Sequence, residues 1–582
     1  MDRRTLLALL LVALVLVITP ILFPSAKKPA TTLTDSAIAL HGADSARAPV
    51  SPPSAATTAS TPSTTAASRT TSPIPTVSAA PAPTGSVAPT ARPVVAESAV
   101  VVATPRAEYV LQNPGAGLAS VTLPAYRSLL PGKQDTMRLM PPRGPLLHYR
   151  LALGRDTVAL DTVAFTVQHS GATTTFTATS PAMTIEYQPA DGYRMSVRGS
   201  ITNAPAGAAL VIDLPREFRS VEADTLDDQR HFAYGYKIPF RDVESIQFGK
   251  LDSTKIRADT GSMQWVDARD KYWVLALMQP VGAAKPAGVF HGLTMRGGTR
   301  VGRITRSAFG TTAMPLSNGQ FAFDVYAGPQ SWEALHVLGN DLESVNPYAG
   351  FLHPVVQPFA TIMLRVLLWM KANLKLSYGW VLVVFGVVIR LLLWPLNQKA
   401  MRTSIAMQRL QPELTEVQKK YKNEPDKQRE ALMKIYQSHG MSPLSPMLGC
   451  LPMLLPMPIL YALYFVFQNT IEFRGVPFLW LSDLSLRDPY YIIPVLMGAS
   501  MFLLSWIGMR AMPPNPQTAM MSYMMPVLFT VMFLNFASGL NLYYAVQNIA
   551  ALPQQWMITR ERARAGLPAP TLPGMGGGGK KT

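Results

Sequence analysis

Residues 378–396, YGWVLVVFGVVIRLLLWPL, form an apolar run that a single arginine, Arg390, interrupts. An α-helix rises about 1.5 Å per residue and needs roughly 20 residues to cross a hydrocarbon core about 30 Å thick. This run fits that length, so we predict a membrane span with Arg390 inside it. A guanidinium at that depth costs on the order of 2.5–3.5 kcal/mol. The run contains no Asp or Glu to pair with it.

Two explanations of Arg390 are open at this point. Arg390 lies six residues before Leu396, so its long side chain could extend to the cytoplasmic headgroups. Alternatively, the guanidinium faces a wet, polar cavity between helices and attracts acidic groups. The two explanations predict different surroundings for the same side chain.

The 582-residue chain has a formal net charge of +17, 48% hydrophobic residues and one cysteine, Cys450. This basicity suits nucleic acid and an anionic membrane leaflet equally well. A single cysteine excludes an intramolecular disulfide. The sequence lacks GxxxxGK(S/T), GxGxxG, HExxH, GxSxG and CxxC motifs, so we expect no catalytic residue, no cofactor and no enzyme activity. We also predict no metal site, because ligand-like spacing is absent from the histidines His148, His169, His231 and His291.

The N-terminal part combines a short basic end with a long apolar run. Arg3 and Arg4 precede the run 6–23, which exceeds a typical signal-peptide core and is followed by no clear A-x-A site. We therefore predict an uncleaved transmembrane anchor over 1–24, with a cleaved signal peptide as the alternative. Residues 25–100 are rich in Ala, Pro, Ser and Thr, which predicts a disordered tether.

Residues 101–350 show alternating apolar positions. Met183, Ile185 and Tyr187 fall on one face, and after the turn-rich QPADG the alternation resumes through Val197, which predicts a β-hairpin. The same pattern continues in TTTFTAT, in 264–278 and in 321–329. Many short strands with Gly and Pro between them predict an all-β sandwich domain.

Residues 351–375 are apolar but carry Arg365 and Lys371. They are typical of an amphipathic helix lying along the outer membrane surface. A helix buried against the sandwich is the alternative.

A polar helical hairpin is predicted over 398–438. Its apolar positions, from Met401 to Tyr421, approximate one helical stripe, and a break at 423–426 lets Asp426 cap the second helix. Its basic residues outnumber its acids, so the positive-inside rule places the hairpin in the cytoplasm. A hairpin that is merely charged and solvated is the alternative. The basic residues that we single out are Arg402, Arg409, Lys419, Lys420, Lys427 and Arg429.

Four more apolar segments follow, at 451–467, 490–509, 519–536 and 540–556. The last two are joined through 537–539 only, so we predict that they pack as antiparallel neighbours. A helical core over 376–559 and a basic tail at 560–582 complete the chain. Counting the anchor, the chain has six predicted spans, with both termini in the cytoplasm and the sandwich outside.

The membrane half offers little conventional chemistry. Its five later spans contain no Asp, Glu, Lys or His, which argues against ion-coupled transport and against an intramembrane protease. Uncharged polar residues remain, and they serve either as hydrogen bonds between helices or as the lining of a groove shared with Arg390. These residues are Ser500, Ser505, Asn535, Asn541, Gln547 and Asn548.

Several ordered motifs resemble the YidC/Oxa/Alb family of membrane protein insertases. The resemblance runs from about 350 to 560 and is carried by VIRLLLWPLNQKAMRTSIAMQRLQPEL, SPLSPMLGCLPMLLPMPILYALYFVF, DLSLRDPYYIIPVLMG and MPVLFTVMFLNFASGLNLYYAVQN. An anchor followed by a large external β domain is similar to the long, Gram-negative form of the family. In that domain the match is carried by 265–278 and 326–329.

The resemblance implies a groove formed by the five later spans, closed to the periplasm and open to cytoplasm and lipid. Arg390 matches the family's groove arginine, which draws in polar or acidic stretches of a nascent client, and Tyr543 and Tyr544 match its aromatic client-contact region. The implied groove residues are Arg390, Ser505, Asn535, Asn541, Tyr543, Tyr544 and Gln547.

The resemblance also implies a location and partners. The chain is expected to be a multi-pass protein of the bacterial inner membrane with its large domain in the periplasm. The implied partners are nascent membrane proteins, the Sec translocon (SecYEG and SecDF), the ribosome, the signal recognition particle receptor and membrane lipids. Two other functions stay open: a non-catalytic assembly scaffold and a lipid-moving protein.

Overall fold

The computed structural model describes residues 98–564, apart from 134, 283–287, 303, 347–352, 423, 439–456 and 510–515. The predicted anchor, nearly all of the predicted tether and most of the basic tail lie outside the described residues, as do Cys450 and the start of the span predicted at 451–467. The predictions for those segments therefore stay predictions.

The first half of the described chain is a β domain of antiparallel strands. The strands are β1 Ser98–Ala103, β2 Glu108–Asn113, β3 Leu118–Arg127, β4 Thr136–Leu139, β5 His148–Leu153, β6 Asp156–Ala159, β7 Thr166–Ser170, β8 Thr173–Thr179, β9 Ala182–Pro189, β10 Arg194–Ile201, β11 Ala209–Asp213, β12 Ala233–Lys237, β13 Glu244–Gln247, β14 Arg257–Met263, β15 Trp265–Arg269, β16 Trp273–Met278, β17 Phe290–Gly297, β18 Arg300–Val301, β19 Ile304–Thr305, β20 Ala308–Pro315 and β21 Gln320–Pro329. A nine-stranded sheet has the order β13-β12-β15-β16-β21-β10-β9-β8-β7, and a six-stranded sheet has the order β14-β17-β20-β11-β5-β6. Strands β1–β4 form a third sheet, and β18 pairs with β19.

The alternating sequence pattern produces the sandwich. Strands β9 and β10 form the predicted hairpin, with Tyr187 opposite Val197, and their alternate apolar side chains are buried. Aromatic rings join the two large sheets: Phe323 of β21 lies 6.5 Å from the ring of Tyr149 on β5 and 6.2 Å from the ring of Phe290 on β17. Edge contacts of this kind add about 0.5–1.5 kcal/mol each beyond the area they bury. The predicted β-sandwich is confirmed.

Strands β15 and β16 depart from the alternation that we predicted for them. All of their residues are buried, on both faces of the nine-stranded sheet. The outward face is covered because the ring of Tyr126 packs edge-on against Trp273, with 4.9 Å between centroids, and because a loop of the helical half lies over the same indole. A strand that is covered on both sides has no solvent face and so loses its period of two.

The second half of the described chain is helical. The helices are α1 Thr225–Arg230 and α2 Trp332–His336 within the β domain, then α3 His353–Leu374, α4 Tyr378–Arg409, α5 Gln411–Lys420, α6 Pro425–Ser438, α7 Met457–Asn469, α8 Ile492–Met509, α9 Pro516–Phe533 and α10 Ser538–Arg564. Helices α3, α4, α7, α8 and α10 share one hydrophobic core with Phe533 at the end of α9, and this core is separate from that of the sandwich.

Three details of the helical half differ from the prediction. Helix α4 continues unbroken to Arg409, so the helices of the hairpin begin at Gln411 rather than near 398. Asp426 lies in the first turn of α6, after Pro425, so the predicted cap is wrong. The last two helices are not neighbours along their length, because α9 and α10 each pack along α8. They meet near their connecting turn, where the rings of Phe533 and Tyr544 are 5.4 Å apart.

Side-chain contacts fix the helix directions. Phe385 meets Tyr543 and Arg390 meets Gln554, so α4 and α10 run parallel. On α8, the ring of Phe502 contacts Tyr523 of α9, whereas Gly498, earlier on α8, adjoins the later Thr530, so these two helices are antiparallel. If α4, α7, α8, α9 and α10 cross a membrane one after another, α4 and α10 must run in the same direction and α8 and α9 in opposite directions. The observed directions agree with this.

A buried ion pair joins the β domain to the helical half. Arg474, in the loop between α7 and α8, donates from Nε to both oxygens of Glu222, at 2.9 and 2.8 Å, and from Nη2 to the carbonyl of Arg127 at 3.0 Å. Its guanidinium lies over the ring of Trp273, whose Nε1 donates to the same Glu222 at 3.2 Å. Removing one partner of such a pair typically costs about 3–5 kcal/mol, so this contact fixes the loop on the sandwich.

Asp228 gives this junction a pH dependence. Burial, with the nearby charge of Glu222, raises the pKa of Asp228 from 3.8 to about 7, and its Oδ1 accepts from the backbone N–H of Lys271. A raised pKa contributes stability that is present below the unfolded value and lost as pH rises through about 7.

At about pH 8 we therefore expect Asp228→Asn to raise the melting temperature of the purified chain by roughly 2–4 °C, and to flatten its pH profile.

The matched control for this variant is Asp227→Asn. Although burial opposes it, the charges of Lys271 and His231 lower the pKa of Asp227. Its carboxylate lies 2.8 Å from the Lys271 ammonium, so the control should lower the melting temperature at about pH 8. Two variants that shifted the melting temperature in the same direction would contradict this account.

Candidate functional site

The candidate site centres on Arg390, in the middle of the apolar part of α4. Its side chain is half-buried and faces α10, where Nη2 donates to Oε1 of Gln554 at 2.9 Å. Nε of Arg390 is buried and has no hydrogen-bond partner among the described residues. No described carboxylate forms an ion pair with this guanidinium, so the described residues around it do not neutralise its charge.

Gln554 was missed in the sequence analysis. It is only 2% exposed, and its Nε2 donates to the carbonyl of Trp394 at 3.1 Å, so one amide links two places on α4. The signal was present in the sequence: Tyr543, Gln547 and Gln554 are four and seven residues apart, a spacing that places all three on one face of a helix.

Gln547 and Tyr543 extend this contact along α4. Nε2 of Gln547 lies 3.2 Å from the carbonyl of Gly386 and 2.8 Å from the hydroxyl of Tyr543. A Cβ on Gly386 would lie 3.0 Å from Val546, so glycine permits the close approach of the two helices here. We call Arg390, Tyr543, Gln547 and Gln554 the polar seam.

The structure places the other predicted groove residues elsewhere. Asn541 is fully buried, and its Nδ2 donates to the carbonyl of Phe533 at 3.0 Å, near the turn before α10. Asn535 is exposed in the same turn. Because Asn541 and Gln554 are 13 residues apart on one helix, they are separated by about 20 Å. Ser505 lies on α8, outside the pairing of α4 with α10.

Tyr544 and Asn548 face other neighbours than Arg390. Tyr544 packs its ring against Phe533, and its hydroxyl is buried without a described hydrogen-bond partner. Asn548 donates to Ser500 Oγ of α8 at 3.2 Å. The assignment of these residues to one client-binding groove stays a prediction.

Apolar side chains cover the outside of the bundle. Exposed leucines and valines flank Arg390 on α4, and α9 exposes a row of Met, Val and Leu. By length and composition, Tyr378–Gln398 and Ile492–Met509 could each cross a membrane, and Ile459–Asn469 and Ser522–Phe533 are shorter apolar helices. Contiguous exposed apolar surface of this kind marks contact with lipid or with protein.

The basic hairpin is solvent-exposed where its side chains are described. Lys419, Lys420, Lys427 and Arg429 are exposed, and Lys427 pairs with Glu424 at 2.6 Å. An exposed pair of this type contributes about 0–1 kcal/mol, so the basic surface remains available for partners. The side chains of Arg402 and Arg409 lie outside the described residues. The described chain contains no group of three or more His, Cys, Asp or Glu placed to hold a metal.

The polar seam predicts an asymmetry between two adjacent glutamines. Gln554→Ala removes the acceptor of Arg390 and should destabilise the purified chain by about 1–2 kcal/mol, the upper range for hydrogen bonds between membrane helices. Gln555→Ala is the matched control; its amide is half-buried beside Gly508 of α8, and its removal should destabilise the chain less than half as much as Gln554→Ala. Thermal unfolding followed by tryptophan fluorescence measures both, and equal losses would refute the assigned role of Gln554.

Comparisons with known proteins agree with this architecture. The family model described as the YidC periplasmic domain matches residues 99–362, and the model described as 60Kd inner membrane protein matches residues 369–565. The first match covers the β domain and the second covers the helical half that contains the polar seam.

Curated relatives align with this chain over a shorter range. Membrane protein insertase YidC of Anaeromyxobacter sp. (strain Fw109-5) is 33% identical over 311 residues, 53% of this chain and 54% of the relative. The protein of the same name from Citrifermentans bemidjiense is 36% identical over 252 residues, 43% of this chain and 44% of the relative. The alignments thus span about half the length of the curated relatives they match.

Among solved structures, the crystal structure of YidC from Thermotoga maritima is 15% identical, covering 78% of this chain and 96% of that one, with a TM-score of 0.28. A crystal structure of an active YidC insertase is 20% identical over 79% of this chain and 92% of that one, with a TM-score of 0.31. TM-scores this low carry no argument. The two consecutive family matches and the curated relatives show that the chain belongs to the YidC family of membrane protein insertases.

Proposed function

We propose that this chain inserts nascent membrane proteins into the bacterial inner membrane, and that Arg390 is its central functional residue. The observation that carries the proposal is a half-buried arginine in an apolar helix whose described hydrogen-bond partner is a neutral amide, Gln554. Its positive charge is therefore available to an incoming chain.

The magnitudes favour a transient contact. Two unit charges 4 Å apart attract by about 1 kcal/mol in water and by about 4 kcal/mol at an effective dielectric constant of 20. An acidic residue of a client would thus gain a few kcal/mol beside Arg390, enough to hold it briefly. Partition of a roughly 20-residue apolar helix into lipid is itself favourable, so the reaction needs no nucleotide.

The proposed groove is hydrated and opens to cytoplasm and lipid. The polar seam supplies its hydrogen-bonding groups. For Ser505, Asn535, Asn541 and Tyr544, the assignment to the lining of this groove is carried by the family resemblance alone. Water in the groove makes the burial of one guanidinium tolerable. The exposed methionines and valines of α9 would face the client or lipid, and thioethers adapt to varied apolar surfaces.

The proposed partners are those that the family resemblance implies. The exposed cationic side chains of α5 and α6, together with the basic tail, would meet the ribosome or the signal recognition particle receptor, and the tail would contact the acidic RNA phosphates of the ribosome. The chain would act alone or beside the Sec translocon, among membrane lipids, with the β domain in the periplasm. The six spans and the domain limits predicted from the sequence belong to this proposal.

Replacing Arg390 tests the proposal directly. We expect Arg390→Ala to lower the initial insertion rate of a labelled single-span client with an acidic translocated tail by at least about tenfold, equivalent to ~1.4 kcal/mol. Arg390→Lys should retain most of the activity, because the charge is kept. The assay uses the purified chain in liposomes with one client, which excludes other translocation factors.

Lys427→Ala is the control for charge, since it removes an exposed cation that already pairs with Glu424. It should leave insertion in liposomes within about twofold of the unaltered chain. Insertion that proceeded equally well with alanine at 390 would leave that arginine a snorkelling residue.

A non-catalytic assembly scaffold is the second candidate, and the buried junction at Arg474 favours it, because this junction fixes the β domain to the helical half. Deleting residues 30–345 while keeping the anchor separates the two functions. An insertase should keep at least about half of its activity per folded molecule, because the polar seam is untouched, whereas a periplasmic scaffold should lose all of it. Membrane levels of the shortened chain, measured by immunoblot, provide the normalisation.

A further inference from the structure

A small, partly open cavity lies where the end of the β domain, helix α3 and the loop after α7 meet. It offers about 20 Å³ to the centre of a water-sized sphere. That is room for about one water molecule or one small ion, and too little for a sugar or a lipid headgroup. Its lining consists of Gln330, Trp332, Glu343, Gln357, Thr361, Leu364, Thr470 and Glu472.

Two carboxylates enter this cavity from opposite sides of the junction. Oε1 of Glu343 lies 2.9 Å from Nδ1 of His336, and Oε1 of Glu472 accepts from Oγ of Ser331 at 3.1 Å. The second oxygen, Oε2, of each carboxylate is buried and has no described hydrogen-bond partner. In each carboxylate, therefore, one oxygen is hydrogen-bonded and the other is left to bind a ligand in the cavity.

Two neutral oxygens complete the set. Thr470 is 2% exposed, and its Oγ1 is buried without a described partner. Gln330 is 9% exposed, and its Nε2 donates to the carbonyls of Asp270 and Trp273 at 2.8 and 3.1 Å. Those two bonds fix which end of the amide is nitrogen, so the unpartnered atom is the oxygen, Oε1.

The composition of this set selects the ligand chemistry. All four unpartnered atoms of the set are oxygens, and two of them belong to acids that lie at one cavity of the size of a single ion. Glu333 adds negative charge close to Glu472. The Arg365 guanidinium stacks on the ring of Trp332, 4.4 Å from its centroid, and Arg365 itself is not a lining residue. A neutral water would leave the negative charge of these two carboxylates uncompensated, whereas a hard cation attracts both.

We propose that this cavity binds one divalent cation of the Ca²⁺ type, held by oxygens of Glu343, Glu472, Thr470 and Gln330. Ca²⁺ accepts carboxylate, amide and hydroxyl oxygens in flexible geometry, and sites with few acids bind it at about 10⁻⁴–10⁻³ M. Because Glu343 belongs to the β domain and Glu472 to the helical half, the ion fastens one to the other. This inference does not depend on the insertase function.

Terbium luminescence tests the site on the purified full chain in detergent. Tb³⁺ binds oxygen ligands and emits when a nearby tryptophan is excited, and Trp332 lines the cavity. We expect sensitised emission that Ca²⁺ competes away at about 1 mM. Glu343→Gln and Glu472→Gln should each weaken Ca²⁺ competition at least about tenfold. Glu333→Gln, which removes a neighbouring charge but no lining oxygen, should weaken it less than about threefold.

A second readout locates the ion without relying on a carboxylate variant. We expect Ca²⁺ to raise the melting temperature of the purified chain, because it binds the folded state. Trp332→Phe should abolish most of the sensitised emission and should keep this rise. Absence of Ca²⁺-dependent stabilisation up to about 10 mM, well above the expected range, would overturn the proposal and leave a buried water in the cavity. Terbium binding that both glutamine variants left unchanged would overturn it too, as an adventitious ion only.

Discussion

The architecture depends on one desolvated ion pair, Arg474 with Glu222, because it joins two parts that have separate hydrophobic cores. Burying two charges costs several kcal/mol, and attraction offsets that cost only when the remaining donors and acceptors are also satisfied. Here the conditions are met: Nε serves both carboxylate oxygens, Nη2 reaches a backbone carbonyl, and the indole of Trp273 both lies under the guanidinium and donates to the acid.

The same junction explains why some strands were harder to predict than others. For β9 and β10 the alternating pattern predicted the correct hairpin, because one face of each strand points into the sandwich and the other outward. Strands β15 and β16 lack a solvent face, since Tyr126 of β3 and the loop after α7, both distant in sequence, cover it. Such long-range coverage leaves no periodic signal in the local sequence.

In the helical half, composition identified the apolar helices and the unusual arginine, but not its partner. Gln554 lies in ALPQQWMIT, a stretch in which two glutamines are adjacent and a proline precedes them. Only the relative rotation and parallel direction of α4 and α10 distinguish Gln554, which is buried, from Gln555, which is half-buried. The predicted pairing of α9 with α10 was wrong for a related reason: a short turn constrains the ends of two helices and leaves their bodies free to follow a third helix.

Helix α4 passes through Pro395 without ending, and this has a mechanical consequence. A proline has no N–H to donate to the carbonyl four residues earlier, here that of Leu391. Helix α4 therefore bends most easily about one turn beyond Arg390. Gln554 donates a hydrogen bond to the carbonyl of Trp394, which precedes Pro395 in the helix. Bending at the proline would therefore reorient the C-terminal part of α4, residues 396–409, together with the hairpin that follows it. The Arg390 guanidinium would keep its position against α10.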